Sequence, residues 1–276
     1  MPIIHAVILG IVQGLTEFFP ISSSGHLILV PWLFGWNDFD SASIEKAFDV
    51  ALHMGTLIAV CGYFRHDLVV FARDGWTALR TRGQRVTPEG RLAWLLLLAT
   101  LPAALVGAVF QSQIDDQLGR IPLIAVSLIV FGLILAWADK FPAKRDIDDM
   151  GGRDALIIGA AQVLSLNPGT SRSGITITAG RTRTFTRDAA ARISFLMAIP
   201  VTAGAALYKV GKLTLDGVPD GLLGPMIVGI ITSAVFGWLA VAWTLRYVRT
   251  KSFMPFVIYR VALGVLVLLI ALSGWR

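Results

Sequence analysis

Charge is scarce in this chain. Only 15% of its 276 residues are Asp, Glu, Lys or Arg, against about 25% in a soluble domain. The hydrophobic share is 55% and the mean hydropathy is +0.70. Too few polar groups exist to cover a folded chain of this size in water, which excludes a soluble globular protein. Cysteine is almost missing as well. Cys61 stands alone inside an apolar run, so neither an intramolecular disulfide nor a Cys-based zinc site can form. The first residues, MPIIHAVILG, lack a basic n-region and an A-x-A cleavage site, so the N-terminus is expected to be retained. A net charge of +6 and a pI near 9.8 do not imply nucleic acid as a partner. The arginines fall in short clusters between apolar runs, which is the pattern of membrane orientation.

What is present is apolar sequence in lengths that fit a bilayer. A spanning helix needs roughly 20 apolar residues, and six runs meet or approach that length: about 47–64, 92–112, 121–138, 193–208, 222–245 and 253–273. Two further apolar segments, about 5–33 and 154–180, are interrupted by FFPISSSGH (18–26) and NPGTSRSG (167–174). Proline removes a backbone donor and serine competes for backbone hydrogen bonds, so a continuous helix should break at both places. Broken backbone at membrane depth is tolerated only inside protein or beside a wet cavity. Both segments are therefore expected to be re-entrant helix–loop–helix hairpins.

The two interrupted segments resemble each other. Shifted by 149, residues 5–28 align with 154–177 without a gap, and nine of 24 positions are identical, among them Gly10/Gly159, Gln13/Gln162, Ser22/Ser171, Ser24/Ser173 and Gly25/Gly174. Each half, about 1–138 and 150–276, then holds one hairpin and three spans. Three is odd, so the halves must be oppositely oriented, as in the inverted repeats of many transporters. The expected fold is an all-α polytopic membrane protein, a single membrane domain over 1–276. With the N-terminus outside, the inward segments carry 17 Lys or Arg and the outward ones five, Lys46, Arg120, Lys209, Lys212 and Arg276. That bias agrees with the positive-inside rule and puts both termini outside.

Ionisable residues at membrane depth are costly and usually functional. Glu17, His26 and Arg172 stand at the breaks. Gln13 and Glu17 are four apart, on one helix face. Ser22-Ser23-Ser24 and Thr170-Ser171 are placed to cap the helices that follow, leaving free N–H groups aimed into the breaks. Two such N-termini make an anion site, and Arg172 adds a planar fork suited to phosphate. Glu17 aligns with Leu166, His26 with Ile175 and Arg172 with Ser23. The first copy therefore carries acid–base groups and a hydroxyl, the second a guanidinium, a division that suits phosphoryl transfer. His5 and His53 have no polar neighbours in sequence to support them and are assigned to structure. Arg181, Arg183 and Arg187 are read as interfacial anchors. Arg260 either snorkels or meets a phosphate.

The motifs Q-G-L-T-E (13–17), P-I-S-S-S-G-H (20–26), P-G-T-S-R-S-G-I-T (168–176) and S-F-M-P-F-V-I-Y-R (252–260) resemble the undecaprenyl-diphosphate phosphatase family of the bacitracin-resistance type. The resemblance covers nearly the whole chain. It implies an enzyme of the bacterial inner membrane that hydrolyses undecaprenyl diphosphate to the monophosphate and phosphate, recycling the lipid carrier of cell-wall synthesis. Carried over by position, Glu17, Ser23, His26 and Arg172 are the catalytic set, with Gln13, Ser22, Ser24, Ser171, Ser173 and Thr176 binding substrate. The family also implies a divalent cation, Mg or Ca, with Glu17 as its protein carboxylate, because the other position of the first motif is Gln13. The expected partners are a polyprenyl diphosphate lipid and the bilayer, with no nucleic acid; a homo-oligomer is left open. The site is expected to open to the outer face. Ser23 and His26, three apart at a helix N-terminus, are expected to hydrogen-bond as nucleophile and base, with a His26 nucleophile or direct attack by water as rivals. A secondary transporter or flippase for an anion or lipid phosphate is the alternative reading. A phosphatidate-phosphatase site is rejected, because S-S-S-G-H lacks that family's other marks.

Overall fold

The computed structural model describes residues 1–39, 41–117, 119–216 and 221–274, and the side chains of 42–43, 110–117 and 208–216 also lie outside the description. Lys209, Lys212 and Arg276, three of the five outward charges counted above, therefore fall outside it. Eleven α-helices follow one another among the described residues: α1 (Ile3–Phe18), α2 (Ser23–Phe34), α3 (Ala42–Tyr63), α4 (Arg65–Arg80), α5 (Pro88–Gln117), α6 (Ile121–Ala138), α7 (Gly152–Val163), α8 (Arg172–Thr182), α9 (Arg187–Asp216), α10 (Leu223–Val248) and α11 (Met254–Leu272). The only β-type pairing described is an isolated bridge between Arg145 and Phe185.

Five stretches are long and apolar enough to cross a membrane: Pro88–Val109, Ile121–Ala138, Arg187–Leu207, Leu223–Val248 and Met254–Leu272. They correspond to five of the six expected spans. The sixth, expected over 47–64, behaves differently. It qualifies only together with α4, and the pair bends by 79° at Phe64. The bend falls where Arg65, His66 and Asp67 follow the apolar run, so the chain turns before three polar side chains would enter hydrocarbon. Large apolar side chains such as Leu101, Leu105, Val109, Leu133, Leu266 and Leu269 are exposed on the outer faces of the spans, as lipid-facing positions should be.

Both interrupted segments are broken where proline, glycine and serine required it. The first gives α1 and α2, with 16 and 12 residues, too short at 1.5 Å per residue to cross about 30 Å of hydrocarbon singly. Pro20 and Ile21 carry the turn, and Ser22 caps α2 with φ 78° while its Oγ accepts from Gly25 N at 3.3 Å. The second gives α7 and α8, separated by a short 3-10 turn at Leu164–Leu166 and by Asn167-Pro168-Gly169. Ser171 caps α8 with φ 73°, and its Oγ accepts from Gly174 N at 3.0 Å. A serine held at positive φ costs on the order of 1 kcal/mol. The cost recurs at two positions that the 149-residue shift makes equivalent.

Packing crosses between the halves. α1 lies mainly along α10 and α7 along α5, while α6 packs on α11 and α3 on α9 and α10. Close approach depends on small residues. A Cβ on Gly10 would strike Thr232 of α10, and one on Gly159 would strike the carbonyl of Ala99 in α5. The two breaks meet at direct hydrogen bonds between Gly169 and Ser22 and between Ser173 and Phe19.

Candidate active site at the paired helix breaks

Glu17 is the hub of the site. It sits in the last turn of α1 and is 7% exposed. Gln13, one turn earlier and fully buried, donates from Nε2 to Glu17 Oε2 at 3.1 Å. Ser23, the first residue of α2, donates from Oγ to the same oxygen at 2.5 Å. Arg172, the first residue of α8, donates from Nη2 to Oε1 at 2.5 Å and from Nη1 to Thr202 Oγ1 at 3.3 Å. Residues 155 apart in sequence are thus joined through one carboxylate. A buried charge in this setting is tolerable because both oxygens are paired.

These groups open onto a cavity of about 300 Å³. Its polar wall is Glu17, Ser22, Ser23, Ser24, His53, Ser165, Ser171, Arg172 and Thr202. Its apolar wall is Val50 of α3 with Val201, Ala205 and Ala206 of α9. The N-termini of α2 and α8 both start at this wall, and the first two N–H groups of each helix have no protein acceptor among the described hydrogen bonds. Free amides, two positive helix ends and a guanidinium converge on one volume, which is an electrostatic trap for phosphate.

The two breaks are bonded to each other directly. Gly169 N donates to Ser22 Oγ at 3.0 Å, and Ser173 Oγ donates to Phe19 O at 3.1 Å. Arg260 adds a third connection. Neither reading offered for it from sequence holds: its side chain is fully buried and does not line the cavity. It donates to Pro20 O at 3.1 Å, to Gly169 O and Thr170 O at 2.9 Å each, and to Leu128 O at 3.1 Å. Backbone carbonyls freed by the breaks are thereby satisfied by one guanidinium.

Of the ten site residues chosen from sequence, six line the cavity: Glu17, Ser22, Ser23, Ser24, Ser171 and Arg172. Gln13 reaches it through Glu17. The other three do not line it. Ser173 spends its hydroxyl on Phe19 O, and Thr176 bonds Arg172 O at 2.8 Å and Ser194 Oγ at 2.8 Å. His26 corrects the expected Ser23–His26 hydrogen bond. Its Nδ1 donates to Ser22 O at 2.6 Å, which fixes the tautomer of the neutral ring, and Nε2 then accepts from Tyr259 Oη at 2.8 Å. Both ring nitrogens are engaged away from Ser23, whose hydroxyl is bonded instead to the Glu17 carboxylate.

Two further expectations change. Arg181, Arg183 and Arg187 are not simple interfacial anchors. Arg181 is 2% exposed, donates to the carbonyls of Phe185, Phe141 and Asp139, and faces Asp139, which also pairs with Arg187 at 2.6 Å. Arg183 and Arg145 pair with Asp154 at 2.8 and 2.6 Å. Burial pushes the Asp154 carboxyl up, but hydrogen bonds from Arg145, Arg183 and Gly151 N outweigh it and hold the group well below the usual carboxylate range. His53 is also more than structural filling. It lines the cavity with Nε2 3.7 Å from Glu17 Oε2. The available signal was the residue itself, an ionisable side chain within an apolar helix.

The donor set is a poor match to a resident cation. Arg172 occupies Oε1 of Glu17, and Ser23 and Gln13 occupy Oε2. No cluster of three His, Cys, Asp or Glu side chains able to hold a metal occurs among the described residues. A cation bound by Glu17 would compete with these donors and find no second carboxylate beside it among the described residues, so the residues do not form a metal cage of their own.

The sequence profile of the bacitracin resistance protein BacA family matches residues 6–266. The chain is 50% identical over 266 residues to a protein of Geobacter sulfurreducens named undecaprenyl-diphosphatase, covering 96% of each. A Geotalea daltonii protein of the same name is 47% identical, covering 97% of this chain and 98% of its own. A third so named, from Moorella thermoacetica, is 44% identical with 97% of both covered. Matches of this extent settle membership: the chain belongs to the BacA family of bacitracin resistance proteins.

Proposed function

We propose that this protein hydrolyses undecaprenyl diphosphate at its terminal phosphate, releasing undecaprenyl phosphate and inorganic phosphate. The observation that carries the chemistry is the Ser23–Glu17–Arg172 arrangement at two converging helix N-termini. Ser23 Oγ attacks the terminal phosphorus and gives its proton to Glu17 Oε2, to which it is already bonded. The bond from phosphorus to the bridging oxygen breaks, and the lipid monophosphate leaves. Arg172 and the free N–H groups of α2 and α8 take up the charge on the transferring group. A transporter for an anion or lipid phosphate would need the positive groups, but not a hydroxyl bonded to a carboxylate.

The finer architecture belongs to the same reading. The two broken segments are re-entrant hairpins of an inverted repeat, supported by the matched serine caps at Ser22 and Ser171 and the matched contacts α1–α10 and α7–α5. Both termini lie outside in a bacterial inner membrane, and the head group enters from the outer face. The first isoprene units rest against Val50, Val201, Ala205 and Ala206. A divalent cation arrives on the diphosphate and not in a protein cage. The decisive experiment is phosphate release from undecaprenyl diphosphate by purified protein. Ser23→Ala and Glu17→Gln should each abolish it, and a Ser23→Ala variant that keeps most of its kcat would refute the assignment. Labelling of Gly83→Cys by an impermeant reagent from outside the cell would refute the orientation.

A further inference from the structure

Hydrolysis through a phosphorylated serine has a second half, and nothing described so far supplies its base. After the first half Glu17 holds the proton taken from Ser23 and must return it to Ser23 Oγ when that oxygen leaves. Glu17 therefore cannot also deprotonate the water that attacks the phosphoserine. A second acceptor must face the same phosphorus.

His53 has the required geometry. It projects from α3, opposite both hairpins, and Nδ1 donates to Asp49 O at 2.7 Å. A carbonyl can only accept, so Nδ1 carries the proton of the neutral ring and Nε2 presents a lone pair. Nε2 lies 3.7 Å from Glu17 Oε2, the oxygen that Ser23 Oγ approaches to 2.5 Å. His53 Nε2 and Ser23 Oγ are thus at most about 6 Å apart, a gap that a phosphoryl group on Oγ and a water in line behind it, hydrogen-bonded to Nε2, can share. The His53 side chain is 32% exposed and lines the cavity, so water reaches it. Among the residues that line the cavity, the charged ones beside His53 are Glu17 from α1 and, beyond that carboxylate, Arg172 from α8; α9 contributes Val201, Thr202, Ala205 and Ala206, none of them titratable.

We propose that His53 is the catalytic base of the second half-reaction, an inference that rests on the reading of Ser23 as nucleophile. A water bonded to Nε2 attacks the phosphoserine phosphorus. The water oxygen–phosphorus bond forms, the phosphorus–Oγ bond breaks, one water proton passes to Nε2, and Glu17 returns its proton to Oγ. Inorganic phosphate leaves, and His53 gives its proton to solvent through the cavity mouth.

The test uses full-length protein in detergent and undecaprenyl diphosphate radiolabelled at the terminal phosphate. Lipid monophosphate, free phosphate and acid-stable protein-bound label are followed separately after rapid quenching. His53→Leu should release about one equivalent of lipid monophosphate in a burst, retain the label on the protein, and slow free phosphate by about 100-fold. His53→Gln, which fills similar space and accepts a hydrogen bond but no proton, should also accumulate label. It serves as the folded variant should the leucine disturb packing. Parallel loss of lipid monophosphate and free phosphate in His53→Gln, without bound label, would overturn the assignment. An active Ser23→Ala would instead remove the serine intermediate itself, and with it this inference.

Discussion

Arg172→Lys keeps a positive charge at the cavity and removes the planar fork, which makes it the sharpest probe of how the site stabilises phosphate. In the structure the guanidinium reaches two acceptors at once, Glu17 Oε1 through Nη2 and Thr202 Oγ1 through Nη1. A lysine ammonium is a point donor on a flexible stem and cannot reproduce the fork against a phosphoryl group while keeping the carboxylate oriented. The loss is at least one charge-assisted hydrogen bond in the transition state, worth about 1.5–3 kcal/mol. At about 1.4 kcal/mol per factor of ten, kcat/KM should fall by roughly 10- to 150-fold. The assay is phosphate release over a range of undecaprenyl diphosphate concentrations, with the melting temperature measured alongside. If the arginine acts mainly on the transferring phosphoryl, kcat falls and KM changes little. Turnover within threefold of the parent in a protein of unchanged melting temperature would show that Arg172 is only the structural partner of Glu17.

Three further outcomes are expected. Arg260→Met leaves the carbonyls of Pro20, Gly169 and Thr170 without their buried donor; at about 1–3 kcal/mol for each group left unsatisfied, a large drop in melting temperature follows, whereas an unchanged one would mean that other donors replace the guanidinium. Asp154 is held ionised by Arg145 and Arg183. Its depressed pKa gives stability that is complete above the unfolded-state value of about 3.9 and is lost as pH falls through the folded value. The melting-temperature gap between parent and Asp154→Asn should therefore be widest at neutral pH and narrow in acid, and a gap independent of pH would refute the pairing. Because three donors already bond Glu17 and no other carboxylate stands beside it to share a cation, magnesium titrated into substrate-free protein should give no calorimetric binding signal at Glu17, measured against Glu17→Gln; a site lost in that variant would show a resident cation.

The parts legible in the sequence were those whose causes are local. Proline followed by a serine cluster breaks a helix, whereas Pro31, Pro102 and Pro200 stand inside continuous ones, and a serine before a helix caps it, so the breaks and both caps could be placed in advance. Glu17, Ser23 and Arg172 could be brought together because two repeated breaks imply one meeting place. What escaped depended on distant neighbours. The direction of His26 is set by Tyr259, 233 residues later, and a spacing of three residues says nothing about that. His53 looked isolated because its partner is on another helix. Arg181 and Arg187 looked like interfacial anchors because Asp139, their acidic partner, is more than forty residues away in sequence. The expected span over 47–64 ends where the bend falls, but the 79° turn into α4 left no signal, because hydropathy measures length and not direction.

The position of Arg260 has a consequence for how the protein is made. Besides the direct bonds from Gly169 and Ser173, the bonds that hold the break at Pro20 against the break at Gly169 come from α11, which is synthesised after both hairpins. Before the ribosome reaches α11, Glu17, Ser23 and Arg172 are already in the chain, but the guanidinium that reinforces the junction of their two loops is not. A half-finished polypeptide therefore carries the chemistry without the geometry, and a copy truncated before residue 260 should be inserted in the membrane yet inert toward lipid diphosphates.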